Sequence, residues 1–402
     1  MKEGYKQTEI GMIPEDWEVK FLTAFGDVVS GGTPSTSVSE YWDGDIAWCT
    51  PSDITKTAGT TIAKTERCIT AKGLFNSAAV LLPPGCVLLC TRATIGDSKI
   101  NSVAMATNQG FKNIIPKNCD ITFLFYLLQT KKQQMLEKAI GSTFLEISKS
   151  ALCSIPMQYP PIPEQQSIAE ALSDMDELIS SLEKLIEKKK AIKQGAMQEL
   201  LTGKRRLPGF SGEWRVTTIK SLGNVVTGST PSRSNPHFWG GKHAWVTAQD
   251  FTSKYITSTV ETVTDSGKNE CRFVPKGSIL VTCIASIGLN AITACECATN
   301  QQINSIICNS KYNNEFIYYQ ICSQIDLMRS IAGQTAVPII SKTQFEDIAI
   351  CVPPTIHEQQ AIGDTLASID NEILELEDKL EKIVGIKKGM MQQLLTGKIR
   401  LK

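Results

Sequence analysis

Residues 32–53 read GTPSTSVSEYWDGDIAWCTPSD, and residues 229–250 read STPSRSNPHFWGGKHAWVTAQD. The two segments share a Thr-Pro-Ser turn, two tryptophans and an aspartate, all at a constant offset of 197 residues. Further motifs recur downstream at nearly the same offset: TNQ at 107–109 and 299–301, EQQ at 164–166 and 358–360, and LLTGK at 200–204 and 394–398. Self-similarity of this extent predicts a duplication of about 195 residues that covers nearly the whole chain.

Length and composition set the broad class of the protein. A chain of 402 residues exceeds one ordinary domain of roughly 100–200 residues, so two or more domains are expected. Its 41 Lys and Arg balance 41 Asp and Glu, which argues against a uniformly basic nucleic-acid coat but leaves local patches open. Because the sequence has neither an apolar run of about 18 residues nor an apolar leader, we predict a cytoplasmic protein.

The cysteines do not indicate a metal site. The chain has 13 of them, scattered singly among apolar neighbours, and Cys295 with Cys297 is the nearest pair. Zinc sites need about four Cys or His ligands with paired spacing, and no Cys-x-x-Cys occurs. We therefore predict buried, reduced thiols and no metal.

Each copy of the repeat contains two parts of different character. The first part, residues 1–160 and 207–355, mixes short apolar runs with Gly, Pro, Ser and Thr. This pattern predicts strands, such as residues 79–82, and helices, such as residues 122–139 and 314–332. The second part, residues 161–206 and 356–402, predicts one long helix in each copy. The predicted fold class is therefore α+β, with two tandem-repeated α/β domains joined by two helical spacer regions.

Apolar residues in both spacer regions alternate in steps of three and four, which is typical of a coiled-coil seam. The seam residues are Ile168, Leu172, Met175, Ile179, Leu182, Ile186, Ile362, Leu366, Ile369, Ile373, Leu376, Leu380 and Ile383. Prolines precede each helix, and Gly203 and Gly397 end them. The alternative is that each helix packs flat on its own globule.

The charges along the helices indicate how they pair. Acidic residues occupy the first half of each helix and lysines the second, which suits each helix's own macrodipole. In an antiparallel pair the acidic half of one helix faces the basic half of the other, whereas a parallel pair sets like charges side by side. We therefore predict an antiparallel, pseudo-two-fold symmetric coiled coil on the order of 57 Å long, with one globule at each end.

Catalytic motifs are present only as near-misses. Residues 235–238 (Asn-Pro-His-Phe) approach the loop of amino-group methyltransferases but lack its second proline and an upstream Gly-rich cofactor loop. Residues 18–20 contain the Glu-x-Lys of nuclease metal sites without a first carboxylate from another strand. There is no phosphate-binding loop, and the three histidines have no paired nucleophile. We predict a chain that is not an enzyme. Two alternatives stay open: a single-chain DNA methyltransferase and a coiled-coil scaffold that binds only proteins.

Two globules on a rigid spacer suit a bipartite target, and DNA presents equivalent major-groove faces about 34–36 Å apart. The sequence resembles the specificity (S) subunits of type I restriction-modification systems over nearly its whole length. The resemblance is carried by the opening YKQTEIG at 5–11, the repeated tryptophan blocks, the EQQ helix starts and the LLTGK helix ends followed by LPGF at 207–210.

This resemblance implies two target recognition domains, at 1–160 and 207–355, that each read one half of a split, asymmetric sequence in double-stranded DNA. It also implies assembly with two methylation subunits and with restriction subunits that act as ATP-dependent translocases and nucleases. S-adenosylmethionine, ATP and Mg are then expected on those partner subunits, with no cofactor in this chain.

The repeat separates scaffold residues from candidate readers of DNA. Positions that are equal in both copies should be scaffold, because the halves of a split target differ. These positions are Trp42/Trp239, Trp48/Trp245 and Asp53/Asp250. Candidate readers are polar, turn-flanked positions where the copies differ: Arg92 against Ile284, Gly110 against Gln302, Thr36 against Arg233, Asp45 against Lys242, and Ile46 against His243.

Charge suggests the roles of the candidates. A guanidinium matches the paired acceptors on a guanine edge, so Arg92 and Arg233 are the predicted guanine readers. The predicted phosphate contacts are Lys56, Lys112, Lys254 and Lys268, and the alternative for each is a solvated surface charge. Acidic and basic residues balance within every region of the chain, so we expect the isolated chain to bind DNA weakly.

Overall fold

The computed structural model describes residues 3–141, 145–333 and 336–401. The chain divides into two compact units, Met1–Lys184 with Asp378–Lys402, and Leu185–Glu377. Each unit holds one copy of the globular repeat together with part of both long helices.

The first unit contains two main sheets. Its strands are β1 (Tyr5–Thr8), β2 (Gly11–Pro14), β3 (Glu18–Phe21), β4 (Gly26–Ser30), β5 (Trp42–Cys49), β6 (Thr61–Ile62), β7 (Arg67–Ile69), β8 (Val87–Cys90), β9 (Ser98–Asn101), β10 (Met105–Thr107), β11 (Phe111–Pro116) and β12 (Pro156–Tyr159). Its helices are α1 (Pro51–Lys56), α2 (Ala71–Phe75), α3 (Ile121–Thr130), α4 (Lys132–Glu137), α5 (Lys149–Cys153) and the start of α6 (Ile162–Leu200). The sheets run in the orders β4-β11-β8-β9-β6 and β10-β5-β7, with β6/β9 and β10/β5 parallel.

The second unit repeats this plan. Its strands are β13 (Arg215–Thr218), β14 (Gly223–Thr227), β15 (Trp239–Val246), β16 (Tyr255–Ile256), β17 (Glu261–Val263), β18 (Phe273–Val274), β19 (Ile279–Thr282), β20 (Asn290–Thr293), β21 (Cys297–Thr299), β22 (Ile303–Cys308) and β23 (Ala349–Val352). Its helices are α7 (Ile219–Leu222), α8 (Asp265–Asn269), α9 (Asn314–Ser323), α10 (Ile325–Ala332), α11 (Lys342–Glu346) and the start of α12 (Ile356–Leu394). Its two main sheets run in the orders β14-β22-β19-β20-β16 and β17-β15-β21-β18. They match the sheets of the first unit strand for strand, except that β18 is an additional edge strand. This match confirms the α+β fold and its duplication.

Both long helices contribute to the globular cores. In the first unit, α3 packs with Ile168 and Leu172 of α6 and with Leu394 at the end of α12. In the second unit, Ile362 and Leu366 of α12 pack with Leu200 at the end of α6. The first turns of both helices therefore pack on their own globules. For these turns the alternative that the sequence left open is confirmed.

The predicted seam holds along both helices. Its buried residues near the helix starts, which also pack on the globules, are Ile168, Leu172, Ile362 and Leu366, and its buried residues farther along are Leu182, Ile186 and Ile373. The partly buried ones are Met175, Ile179, Ile369, Leu376, Leu380 and Ile383. Every predicted seam residue is thus at least partly covered, as an a/d stripe requires.

Ion pairs within each unit show that the helices run antiparallel. In the first unit, Nζ of Lys387 lies 2.5 Å from Oδ1 of Asp176. In the second unit, Lys190 pairs with Glu377 at 2.9 Å and Lys193 with Asp370 at 2.5 Å, so rising numbers on α6 meet falling numbers on α12. The predicted opposition of acidic and basic halves is confirmed.

A photo-crosslinker tests this register. With benzoylphenylalanine in place of Met175, we expect adducts in the last third of α12, around Met390, because the antiparallel register of the first unit brings these residues to one level. Mass spectrometry of the digested protein would locate the adducts. Benzoylphenylalanine at the exposed Leu178 is the control for reaction with the outer face. Adducts from position 175 around Ile369 would contradict the antiparallel pair.

Three local expectations from the sequence are wrong. Residues 79–82 were expected to form a strand, but only Leu82 pairs, through an isolated bridge to Met105, because the two prolines that follow withhold backbone donors. Residues 122–139 and 314–332 were each expected to form one helix. Each breaks in two, at Lys131 and Gln324, where the amide bonds back three residues and tightens the turn.

The thirteen cysteines are all free thiols. Burial raises the pKa of the Cys86, Cys283 and Cys297 thiols to about 11, so these groups stay protonated at neutral pH. Within the described ranges, no cluster of three or more His, Cys, Asp or Glu could hold a metal ion. In the same part of the chain, no helix is both long and apolar enough to cross a bilayer.

Candidate nucleic-acid interface

A pair of tryptophans fixes one loop in each unit. In the first unit the rings of Trp42 and Trp48 lie 5.0 Å apart, edge to face, and their indole N–H groups donate to the carbonyls of Ser35 and Gly32. In the second unit Trp239 and Trp245 lie 4.9 Å apart and donate in the same way to Ser232 and Ser229. The pair therefore holds the loops 31–37 and 228–234, which agrees with the scaffold role expected for residues shared by both copies.

The shared aspartates are also structural. The buried Asp53 accepts from the amide and hydroxyl of Thr50 at 2.8 and 2.6 Å and from the amide of Glu66 at 2.8 Å. Asp250 makes the equivalent bonds to Thr247 and Val260. Because three donors occupy each carboxylate, these groups fix loops and have little capacity left for DNA.

A tight turn follows the first candidate reader in both units. Ala93 and Ala285 adopt positive φ values of 58° and 62°. The turns are closed by bonds from the amide of Thr94 to the carbonyl of Arg92 and from Ser286 to Ile284. A non-glycine residue in this region costs on the order of 1–3 kcal/mol and is concentrated at functional sites. The same strained turn thus presents position 92 in one copy and 284 in the other.

Each of these turns lies beside two loops that the repeat shares, which in the first unit are residues 31–37 and 107–110. The amide of Thr91 donates to Gly110 at 2.7 Å, and a Cβ on Gly110 would lie 3.7 Å from Cβ of Arg92. The hydroxyl of Thr33 donates to the side chain of Gln109. Residues 31–37, 91–94 and 107–110 therefore form one continuous surface, which we call the loop edge of the first unit. The loop edge of the second unit comprises 228–234, 283–286 and 299–302, joined by the equivalent bonds.

The loop edges differ in the residues they present. Arg92 pairs with Glu146 at 2.6 Å, and their backbones form an isolated bridge. In the second unit the equivalent bridge joins Ile284 to Ile339. An ion pair in one copy is therefore an apolar pair in the other, on the same backbone.

The other candidates of the second unit are held by carboxylates or amides. Nε2 of His243 lies 2.7 Å from Asp265 and Lys242 lies 3.3 Å from it, and both lower the pKa of that carboxyl. The side chain of Gln302 accepts from Asn300 at 3.2 Å. In the first unit, Asp45 and Ile46 stand at the matching positions of β5 without that pair.

Arg233 is clamped rather than free. Its guanidinium stacks 3.9 Å from the ring centre of Trp239 and makes two bonds of 2.7 Å to the carboxylate of Glu261. These hydrogen bonds lower the pKa of Glu261 and raise that of Arg233. The equivalent Thr36 is exposed on the same loop of the first unit.

The predicted phosphate contacts divide into two groups. Lys56 and Lys268 lie at the surface in ion pairs with Glu66 and Glu296. Lys112 is only 8% exposed, in the middle of a sheet, and burial lowers its pKa.

Lys254 is also an internal residue. Its side chain is 13% exposed, paired with Glu315 and hydrogen-bonded to Tyr319. The prediction that Lys112 and Lys254 contact phosphate therefore needs correction, because sheet packing and a carboxylate cover them.

Sequence reasoning missed Arg67. This exposed residue of β7 stacks 3.7 Å from the ring centre of Trp42 and 5.7 Å from that of Trp48. Among the described residues, no group forms an ion pair or hydrogen bond with its guanidinium. Comparison of the two copies could have found Arg67, because its counterpart in the second copy, Glu261, has the opposite charge.

Two duplicated α+β modules, each with a shared scaffold and a variable loop edge, define a protein with tandem recognition modules. The chain belongs to the family described as the type I restriction modification DNA specificity domain, whose model matches residues 14–194 and 211–384. This membership confirms the resemblance found in the sequence.

Individual relatives agree with this membership. The putative type I restriction enzyme MjaX specificity subunit of Methanocaldococcus jannaschii is 27% identical, covering 100% of this chain and 98% of that protein. The MjaIX specificity subunit of the same organism is 43% identical over 183 residues, which is 45% of this chain and 42% of that protein. The chain thus matches less than half of the MjaIX subunit but nearly all of the MjaX subunit.

Solved structures share the fold. The S subunit of a type I restriction-modification system from M. genitalium matches with a TM-score of 0.61 and 14% identity, over 94% of this chain and 96% of that one. A chain from a study of assembly and conformational transition of the type I R-M system matches with a TM-score of 0.62 and 15% identity, over 96% and 99%.

Proposed function

We propose that this chain is the sequence-specific DNA-recognition subunit of a type I restriction-modification complex and that it reads a bipartite, asymmetric target. One observation carries the proposal: the two loop edges share their scaffold and differ in the side chains that they present. The same Trp pair, capped aspartate and strained turn recur, while Arg92–Glu146 becomes Ile284–Ile339. Such an arrangement suits two modules that dock on DNA alike and read different bases.

The exposed helix faces support assembly with partner subunits. Apolar side chains remain exposed on the helical part of each unit. They are Leu178, Val384 and Ile386 in the first unit and Leu185, Ile192 and Leu374 in the second. Exposed apolar residues are typical of protein interfaces where they group into one patch. Because each unit carries its own set, we assign one methylation subunit to each, with restriction subunits joining the assembled complex.

The chemistry then belongs to the partners. In this proposal the methylation and restriction subunits hold S-adenosylmethionine, ATP and Mg, and this chain, in the cytoplasm, catalyses no step. Both cations of the loop edges are already paired with carboxylates, Arg92 with Glu146 and Arg233 with Glu261. Few phosphates would be neutralised by this chain alone, so the partners supply much of the affinity for DNA.

Sequencing of methylated sites tests the proposal. Cells that express this chain with a methylation subunit should carry methylation at one split motif, with two specific halves and a spacer of fixed length. Methylation at a continuous motif, or an unchanged pattern in cells without this chain, would contradict it. Methylation by this chain alone would favour a single-chain methyltransferase.

Arg92→Ala should relax the motif in one half only. The strained turn presents this arginine, and loss of a bidentate contact to guanine costs about 1–3 kcal/mol of discrimination. The measurement is the base frequency at each position of the methylated motif. Ile284→Ala is the matched control at the same place in the second unit and should leave that half of the motif as it is. An unchanged base preference in Arg92→Ala would refute the assignment.

A further inference from the structure

Both units place a guanidinium on the Trp pair, but from different parts of the chain. In the first unit the group comes from Arg67 on β7, 3.7 Å from the ring centre of Trp42. In the second unit it comes from Arg233 on the loop edge, 3.9 Å from the ring centre of Trp239. The stacked position is therefore kept, while the residue that fills it is not.

Strand register shows that the residues have been exchanged. Arg67 lies opposite Trp48 across β7 and β5, and Glu261 lies opposite Trp245 across β17 and β15. Glu261 thus stands at the backbone position of Arg67. In turn, Thr36 stands at the position of Arg233.

The exchange inverts the hydrogen-bonding character of the position. The guanidinium of Arg67 is exposed, and within the described ranges its N–H groups have no protein acceptor. The two bonds from Arg233 to Glu261 use one N–H of each terminal nitrogen of its guanidinium. Arg233 keeps three N–H donors, but each carboxylate oxygen of Glu261 also keeps a further lone pair, so this pair offers acceptors that the first unit lacks.

This inversion distinguishes a base contact from a phosphate contact. Phosphates are the same at every step of every sequence, so two copies that both grip phosphate have no reason to differ in sign at the same position. Base edges differ between the halves of a split target, and the major groove displays both paired acceptors and amino donors. The stacking of a guanidinium on the Trp pair is then the shared scaffold. The hydrogen-bonding groups of Arg67 and Glu261, which differ between the units, would determine which base is read.

We propose that the side chain opposite the second tryptophan of each pair, Arg67 in the first unit and Glu261 in the second, reads a base. Arg67 reads the O6 and N7 acceptors of a guanine in one half-site. Glu261, held by Arg233, accepts from the amino group of a cytosine or an adenine in the other half-site. This inference rests on the proposed function, because it names residues that would determine the specificity of that same subunit.

Variants in the complete complex with methylation subunits test the inference by sequencing of methylated sites. Arg67→Ala should reduce the preference for guanine at one position of one half-site by about 5- to 150-fold and leave the other half-site unchanged. Arg67→Lys, which keeps the charge but loses the planar fork, should lose the same preference. Glu261→Gln should change one position in the opposite half-site. Lys64→Ala, which removes an exposed cation on the same segment, is the control and should change neither.

The outcomes separate this inference from the proposed function. Uniformly weaker methylation in Arg67→Ala, with restoration by Arg67→Lys and an unchanged motif, would show a phosphate contact and overturn the inference. An unchanged motif in both Arg67→Ala and Glu261→Gln would also overturn it. Absence of a split motif with the unaltered chain would instead refute the proposed function. Equal melting temperatures of variant and parent show that a changed motif does not come from misfolding.

Discussion

Arg206→Met should lower the free energy of unfolding by about 3–5 kcal/mol, the usual cost of breaking a buried ion pair. Arg206 follows the end of α6 and makes bonds of 2.5 and 2.8 Å to both carboxylate oxygens of Glu358, in the first turn of α12. The side chain of Glu358 is 0% exposed. Without its partner, this carboxylate would stay buried and uncompensated. Urea unfolding followed by tryptophan fluorescence would measure the change.

Two further variants identify the cause of that loss. Arg205→Met removes the neighbouring arginine, which is 74% exposed in a loose pair with Glu199, and should change the stability by less than about 0.5 kcal/mol. Replacing Arg206 and Glu358 together by methionine should recover much of the stability, because no charge is then left buried. If the double variant were as unstable as Arg206→Met, packing of the arginine stem would explain the loss instead.

The same contact explains why two short motifs occur twice. In the first unit Arg400, just after LLTGK, bonds to both Glu164 and Asp16. The glutamine after each glutamate ties the helix start to its globule, through bonds from the amides of Asp120 and Asn313 to Gln165 and Gln359. In each unit, an arginine that follows one LLTGK motif therefore pairs with the glutamate of the EQQ motif from the other copy. We call this contact the arginine–glutamate contact.

Periodic and duplicated features of the fold could be predicted from the sequence. The duplication, the helix seam and the antiparallel direction follow from patterns that repeat along the chain, and the structure confirms them. The arginine–glutamate contact could not be predicted, because Arg400 and Glu164 are 236 residues apart and no local sequence pattern links them. Pairing over such a distance is a property of the folded chain.

The candidate site was predicted less well than the fold. The loops that carry Arg92 and Arg233 were located through differences between the copies. Arg67 was missed because its importance depends on the register between β7 and β5, which places it opposite Trp48. The same reason explains Lys112, since the pairing of β11 on both sides decides that this lysine is covered. A charge in a sequence shows neither its neighbours nor its exposure.

Leu366→Ala should lower the free energy of unfolding by about 2–5 kcal/mol. Leu366 is 0% exposed and lies in the core of the second unit with Ile362, Leu200 and Phe316. Truncation removes apolar contacts and leaves a cavity, because the packed neighbours in this core cannot close fully around the smaller side chain. Thermal and urea unfolding of the variant would measure the effect.

Leu374→Ala is the matched change farther along the same helix, and its effect should be of a different kind. Leu374 is 56% exposed, so its loss should change the stability by less than about 0.5 kcal/mol. If the outer helix face binds a methylation subunit, the same substitution should weaken assembly, measured as the dissociation constant of the complex. Leu366→Ala, in protein that remains folded, should leave that constant nearly unchanged. A loss of stability in Leu374→Ala equal to that in Leu366→Ala would mean that the outer face is covered within the chain, and the interface would then have to lie elsewhere.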